Sequence, residues 1–399
     1  MHDTLLADAA MHSSDIDLFT DAALTDPYPH YRALRDLGPA AFLRPQQMWF
    51  LGRYEVVRAA LGDWQTWSSA QGIGLNPVIN EAWAQALINV DPPAHTEMRK
   101  LFTDRLGPRH LKPIEETVSR RADELAERIV QMGYFDAVKD VAQDLPVNVI
   151  MDLIGWPDDV RGGLLQMAEG SFDACGPDND RMRGALPGLG AMMEFLGRIY
   201  DENRLVPGGF GSTVADAARR GEIPREAALG LLAGYVVAAF DTTINAMATG
   251  VLLFAQNPQQ WERLRADESL AASAFNEILR MESPIQNFSR VATRDVDLGD
   301  GVVIPAGVRA IVSYGSANRD ERHFPDPDRF DIKRRPLDHL AFSIGTHGCA
   351  GQSLARLEGH AVFKALARHV KRFELTGEPQ RGLNNITRGY ARIGVRAIV

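Results

Sequence analysis

The chain has 399 residues, 45% hydrophobic and 24% charged, with a formal net charge of −9. That is enough apolar material for a sizeable core and a mildly acidic balance that argues against nucleic acid as a general partner. Its two cysteines, Cys175 and Cys349, are too few and too far apart for a disulfide framework.

The start, M-H-D-T-L-L-A-D-A-A, lacks the basic end and apolar core of a signal peptide, so a cytoplasmic protein is expected. No linker, charge block or repeat divides the sequence, and one unit over residues 1–399 is expected. Tyr28, Tyr31, Leu34 and Leu37 recur on one helical face, and Tyr54 to Leu61 predicts a second short helix. From Ser68 to Asn89 the periodicity is lost. This stretch, with Q-G-I-G-L-N-P-V-I-N inside it, reads as a loop of a length that is uncommon without a function. Helices are expected from Ala94 to Leu106, Pro113 to Met132, Val138 to Ile154 and Arg183 to Asn203, with Gly133 stopping the second.

Pro224 suits the first position of a long helix reaching Ala255. It is apolar nearly all round, which raises the membrane question, but Asp241, glycines and threonines interrupt it. A buried central helix is expected, with no membrane. Two more helices follow Asn257-Pro258, and Ser283-Pro284 ends the second. The signal then changes to strands in V-D-L-G-D-G-V-V-I-P-A-G-V-R-A-I-V, with turns at Asp300-Gly301 and Pro305-Ala306-Gly307. A turn-rich meander from Asn318 to Pro336 and short strands around Ile386 and from Ile393 to Val399 complete a mainly α pattern.

Chemistry concentrates in F-S-I-G-T-H-G-C-A-G, Phe342 to Gly351, where three glycines deliver Cys349 to the start of an amphipathic helix. Unpaired amide protons and the helix dipole favour a thiolate there. A thiolate facing a flat, glycine-lined gap is what axial ligation of haem iron requires. An arbitrary cysteine is more often a small buried hydrophobe, and a nucleophile activated by His347 is a third reading, although two residues apart in a tight loop is poor geometry for a base. Asp241 and Thr242, in A-A-F-D-T-T, break the rule for an apolar helix: either the acid is satisfied by its own helix, or acid and hydroxyl relay protons. Glu277 and Arg280 share a helix face, which in isolation is a structural ion pair.

The spacing F-x-x-G-x-H-x-C-x-G, the upstream E-x-x-R and the acid-threonine pair together resemble the cytochrome P-450 superfamily of the soluble bacterial type, over nearly the whole chain from D-P-Y-P at Asp26. The resemblance implies a mainly α fold with a smaller β-rich region and a long central helix over haem b. It makes Cys349 the iron ligand, with Phe342, His347 and Gly351 in the haem loop, and His95, Arg99, Arg290 and His339 partners of the haem propionates. Asp241 and Thr242 become the proton relay, with Ala239 where glycine is commoner, and Arg329 or Arg334 joins Glu277 and Arg280 beneath the haem. Partners follow: a small-molecule substrate, O2, and NAD(P)H acting through a flavin reductase and a two-iron ferredoxin. The ferredoxin is expected near Arg99, Lys100, Arg105, Arg109, Lys112 and Arg356.

Within the superfamily, S-A-N-R-D, D-P-P-A-H-T, P-G-G-F-G and E-S-P-I-Q look similar to the group oxidising para-substituted aromatic acids by O-demethylation or hydroxylation. That group holds its substrate carboxylate with an arginine in the loop after the second helix and serines on the long helix. Here Gln71, Ala233, Gly234 and Val237 stand instead, and an ionised carboxylate without a cation is poorly stabilised. Leu75, Phe172, Val237, Ala238, Phe288, Ser289 and Ile386 are expected to enclose a flat neutral ring. The alternatives are a hydroxylase of another small molecule such as a terpenoid, and a haem-thiolate sensor without turnover.

Overall fold

The apolar spacing seen in the sequence becomes a set of helices packed around one long one in the computed structural model, which describes residues 11–160, 163, 167, 168 and 170–399. Helices α1 (Tyr28–Leu37), α2 (Tyr54–Gly62), α3 (Pro77–Ala82), α4 (Ala94–Leu106), α5 (Pro108–Met132), α6 (Asp144–Ile154), α7 (Asp180–Asp201) and α8 (Phe210–Arg219) precede the long α9 (Arg225–Gln256). After it come α10 (Pro258–Ala266), α11 (Ala271–Glu282) and α12 (Gln352–His369). Pro224, the predicted first position, is the N-cap of α9, which starts one residue later. About two-thirds of the most apolar stretch of α9 is buried (67%), which identifies it as a core helix.

Three boundaries differ from expectation. Helix α5 starts at Pro108, five residues early, because Pro108 takes the first-turn place where a missing N–H costs nothing, and Pro113 is carried inside the helix. The segment predicted as one helix from Val138 to Ile154 is a π-helical turn, Ala137–Ala142, followed by α6. The predicted loop Ser68 to Asn89 contains α3, started by Asn76, whose side chain accepts from Ile79 N at 3.0 Å, and by Pro77 after it.

The β-rich region is a six-stranded sheet in the order β1 (Ser13–Ser14), β2 (Ala41–Leu43), β3 (Met48–Leu51), β6 (Arg309–Ser313), β5 (Asn287–Ala292) and β4 (Trp67–Ser68). The turns at Asp300-Gly301 and Gly307 take positive φ, as the sequence requires there. Strand β5 pairs antiparallel with β6, Phe288 opposite Val312 and Arg290 opposite Ala310. Because side chains alternate along a strand, Phe288 and Arg290 share one face, while Ser289 and Arg309 share the other.

Candidate active site

The cysteine loop is built on close backbone approaches. Gly345 has φ +66°, and a Cβ there would lie 2.8 Å from the Leu61 carbonyl, so only glycine fits. Cys349 N donates to Phe342 O at 2.8 Å, and Gly348 N to Gly345 O at 3.0 Å, which fixes the thiol at the start of α12 with Gly351 as N-cap. Burial pushes the Cys349 thiol up; backbone N–H groups of Gly351 and Gln352 and the charges of Arg99 and Arg356 oppose it. The helix start alone therefore does not make the thiolate. A metal bound there would supply what is lacking, since a coordinating thiol is deprotonated by the metal. Phe342 is covered by the Arg356 guanidinium, 4.6 Å from its ring centre.

Beside the loop, three of the four expected anion partners, His95, Arg99 and Arg290, gather around His347 of the loop, by contact or electrostatically. The rings of His95 and His347 are 4.6 Å apart, and Arg99 Nη2 donates to Gly348 O at 2.6 Å. Arg290 is only 3% exposed and, among the described residues, has no carboxylate within ion-pair distance; its Nη1 donates to the Ser289 carbonyl at 2.8 Å. His95 Nε2 is buried and makes no hydrogen bond among the described residues. A buried guanidinium without a carboxylate and an orphaned imidazole nitrogen are costly unless an anionic group completes them. This is the donor set that the propionates of a haem need. Burial, with His347 and Arg99 nearby, lowers His95 to about 4, and burial likewise lowers His347.

Asp91, which the sequence reading did not single out, closes the group. Burial pushes its carboxyl up, but the His347 imidazole 3.5 Å away and hydrogen bonds from Ser68 Oγ and Ser69 N outweigh that and hold it below the usual range. His339 packs against the cysteine loop from another side: its ring lies 5.6 Å from that of Phe342, its Nδ1 accepts from Ala341 N at 3.2 Å and its Nε2 faces Asn276 Oδ1 at 3.3 Å. Beneath, Glu277 and Arg280 are fully buried and bidentate at 2.7 and 2.9 Å. Arg334 completes the set at 3.0 Å from Glu277, whereas Arg329 pairs with Asp331.

The middle of α9 is buried except along one stripe. Gly230, Gly234, Ala238 and Thr242 follow one another at four-residue spacing, with Asp241 and Asn245 beside them, and these are exposed or half-buried while Ala233, Val237 and Phe240 are buried. The stripe is a row of small side chains left open along the helix. Thr242 Oγ1 donates to the Ala238 carbonyl at 2.7 Å, so the hydroxyl occupies the helix groove itself, and α9 runs unbroken past Ala239. Asp241 is half-buried next to it.

The other expected walls are Leu75, Phe172, Val237, Phe288 and Ile386, all buried, with the Phe172 and Phe288 rings 6.2 Å apart. Ser289 does not belong with them. Its side chain is on the opposite face of β5 from Phe288, donates to Gly74 O at 3.0 Å and accepts from Arg309 at 2.6 Å. Arg309 itself escaped the sequence reading, although a charge inside the strand run V-R-A-I-V was a signal that it does more than sit at a surface.

The family model described as cytochrome P-450 matches residues 216–395. CYP199A2 of Rhodopseudomonas palustris is 37% identical over 385 residues, 96% of this chain and 93% of that protein. The P-450 monooxygenase PikC of Streptomyces venezuelae is 32% identical over 93% of this chain and 91% of its own length. Among solved structures, P-450BioI in complex with an acyl carrier protein ligated to hexadec-9Z-enoic acid superposes with a TM-score of 0.85 at 26% identity, covering 95% of this chain and 100% of that one. Relatives of this identity, aligned end to end, account for the thiol loop and the anion-ready pocket together: the chain belongs to the cytochrome P-450 family and is a haem b monooxygenase that takes O2 and electrons from NAD(P)H through redox partners.

Proposed function

We propose that this monooxygenase oxidises a small, neutral aromatic ether, such as a methoxylated phenol, at the carbon beside the ether oxygen, with a two-iron ferredoxin delivering the electrons. Haem b, when bound, supplies the iron at which dioxygen is activated. Cys349 would hold it by its thiolate, and His95, Arg99, Arg290 and His347 would receive its propionates. Asp241 and Thr242 hold and pass protons above it: rotation of the Thr242 hydroxyl away from Ala238 O frees it to donate toward the chamber.

The observation that carries the substrate class is the character of the walls. Gly234, Ala238, Phe172, Phe288, Leu75 and Ile386 are apolar, and of the two cations nearest to them in sequence Arg290 lies near His347 and Arg388 is paired with Glu282 at 2.9 Å. Gln71, in the place expected for a carboxylate-binding arginine, has an exposed side chain, and its backbone carbonyl accepts from Arg309. A flat ring is served by such walls, and an ionised carboxylate is not. Similarity to CYP199A2 supports a shared scaffold. Spin-shift titrations with matched pairs of neutral and carboxylated methoxyarenes decide the matter. Tighter binding of the neutral member is expected, and tighter binding of the benzoate would overturn the assignment.

A further inference from the structure

The stretch from Gln71 to Asn76 looks in sequence like a flexible loop, yet almost every backbone polar group in it is engaged. Arg309 Nη1 donates to Gly72 O at 2.6 Å, Gly74 O at 3.2 Å and Ser289 Oγ at 2.6 Å, and its Nη2 donates to Gln71 O at 2.7 Å. Ile73 O accepts from Ser289 N at 2.8 Å, Ile73 N donates to Asn89 Oδ1 at 3.1 Å, and Gly74 N to Asn80 Oδ1 at 2.9 Å. At the far end Leu75 N donates to Cys175 O at 2.8 Å, and Asn76 Nδ2 to the carbonyls of Ala174 and Gly176, each at 2.7 Å. A Cβ on Gly72 would lie 2.1 Å from Asn80, and one on Gly74 would lie 2.4 Å from Ile79, so the two glycines fit a single conformation.

Arg309 is the part of this arrangement with a net charge, and among the described residues no carboxylate pairs with it. Its burial lowers its basicity with no acid to offset the cost. A guanidinium fork spans several carbonyl oxygens at once, which a lysine ammonium cannot do. The charge is thus committed to loop carbonyls, on the face of the sheet opposite Phe288 and Arg290.

We propose that Arg309 is a specificity-determining positioning residue: acting through the Gln71–Asn76 loop, it fixes the wall of the substrate chamber that carries Leu75, and so sets the size of ring the chamber holds. The proposal rests on the reading of Leu75 as a chamber wall. A loose loop at this point would let the wall retreat and water enter, which weakens binding of a ring without touching the iron ligand.

The test uses the haem-loaded full chain with Arg309→Lys and Arg309→Met, and two iron-ligating probes, imidazole and 4-phenylimidazole, followed by the Soret shift. Imidazole reports the iron alone; the phenyl group reports the wall. Arg309→Met is expected to weaken 4-phenylimidazole by about tenfold, the loss of one or two charged hydrogen bonds, to leave imidazole unchanged, and to speed hydrogen exchange in residues 70–76. Arg309→Lys is expected to fall between it and the natural chain and stays informative if the Met variant does not fold. Unchanged exchange in both variants would overturn the role of Arg309. Faster exchange with an unchanged ratio of the two affinities would also overturn the proposal, by showing that the ordered loop is not a chamber wall. Because neither probe carries an ether or a carboxylate, a failure of the neutral-substrate reading leaves this result standing.

Discussion

Arg290 and His95 are recognisable as anion partners only once their surroundings are known. In the sequence Arg290 is one of 43 lysines and arginines; in the fold it is buried with a backbone carbonyl at its guanidinium and no carboxylate among the described residues. Thr242 shows the same contrast. Its position beside Asp241 suggested a relay, and the structure adds that its hydroxyl is tied to Ala238 O at 2.7 Å, so a proton can pass only when that bond is exchanged. Thr242→Ala removes the exchange and leaves the aromatic pair Phe172 and Phe288 in place. Haem content and substrate spin shift are expected to stay as in the natural chain, while product formation falls by about a hundredfold, the low end of what a lost proton-transfer group costs, and reducing equivalents go to hydrogen peroxide. The ratio of NADH consumed to product formed measures this, and unchanged coupling would count against the relay.

At the level of elements, α12 carries a second buried acid that the site does not use. Glu358 is 2% exposed, and burial alone raises its carboxyl from an ordinary 4.5 to about 8. A folded-state value above the unfolded one means that the contribution is full below about 4.5 and is lost as pH rises through about 8. Thermal stability is therefore expected to decline across that window, and Glu358→Gln, uncharged at every pH, should flatten the slope; melting scans of both proteins from pH 5 to 9 check this, and parallel curves would show that the acid is not the cause. Such periodic helices were legible in advance: α2 and α4 fall where the apolar spacing put them, because local periodicity suffices to define a helix. What was hidden depends on distant partners. The Gln71–Asn76 loop reads as formless because Arg309, which orders it, is 238 positions away from Gln71. Ser289 was misplaced because all six residues of β5 are buried, so no alternation of polarity betrays which face each occupies.

Over the whole molecule, charge is distributed against its average. The chain is acidic by nine charges, yet Arg109 and Lys112 are exposed near the start of α5, and Lys100 lies on the preceding helix in a solvent-exposed pair with Glu97 at 2.8 Å. Arg99 is turned inward to the cysteine loop and Arg356 lies over Phe342, so both belong to the site beneath that surface; the Arg105 side chain lies outside the described residues. Arg109→Glu combined with Lys112→Glu is expected to slow reduction by the proposed ferredoxin about tenfold at low salt and to reduce its salt dependence, while the thiolate Soret band of the carbon monoxide complex stays in place. Stopped-flow rates over a salt series test this, and unaltered rates would remove that surface as the docking face.

The stripe on α9 has a further consequence for how this scaffold can diversify. Gly230, Gly234, Ala238 and Thr242 advance along the helix axis by about 6 Å per step, so in the proposed chamber they would form a boundary of small side chains set at graded depths, like marks on a ruler. Each mark is open to solvent or half-open, and no neighbour lies within 4 Å of a Cβ added at Gly234. Lengthening one side chain at a time would shorten the space from that depth onward and leave the haem loop, the anion pocket and the helix backbone as they are. New ring sizes and new oxidation positions are then reachable by single replacements on one rigid rod, without any change in the chemistry below it.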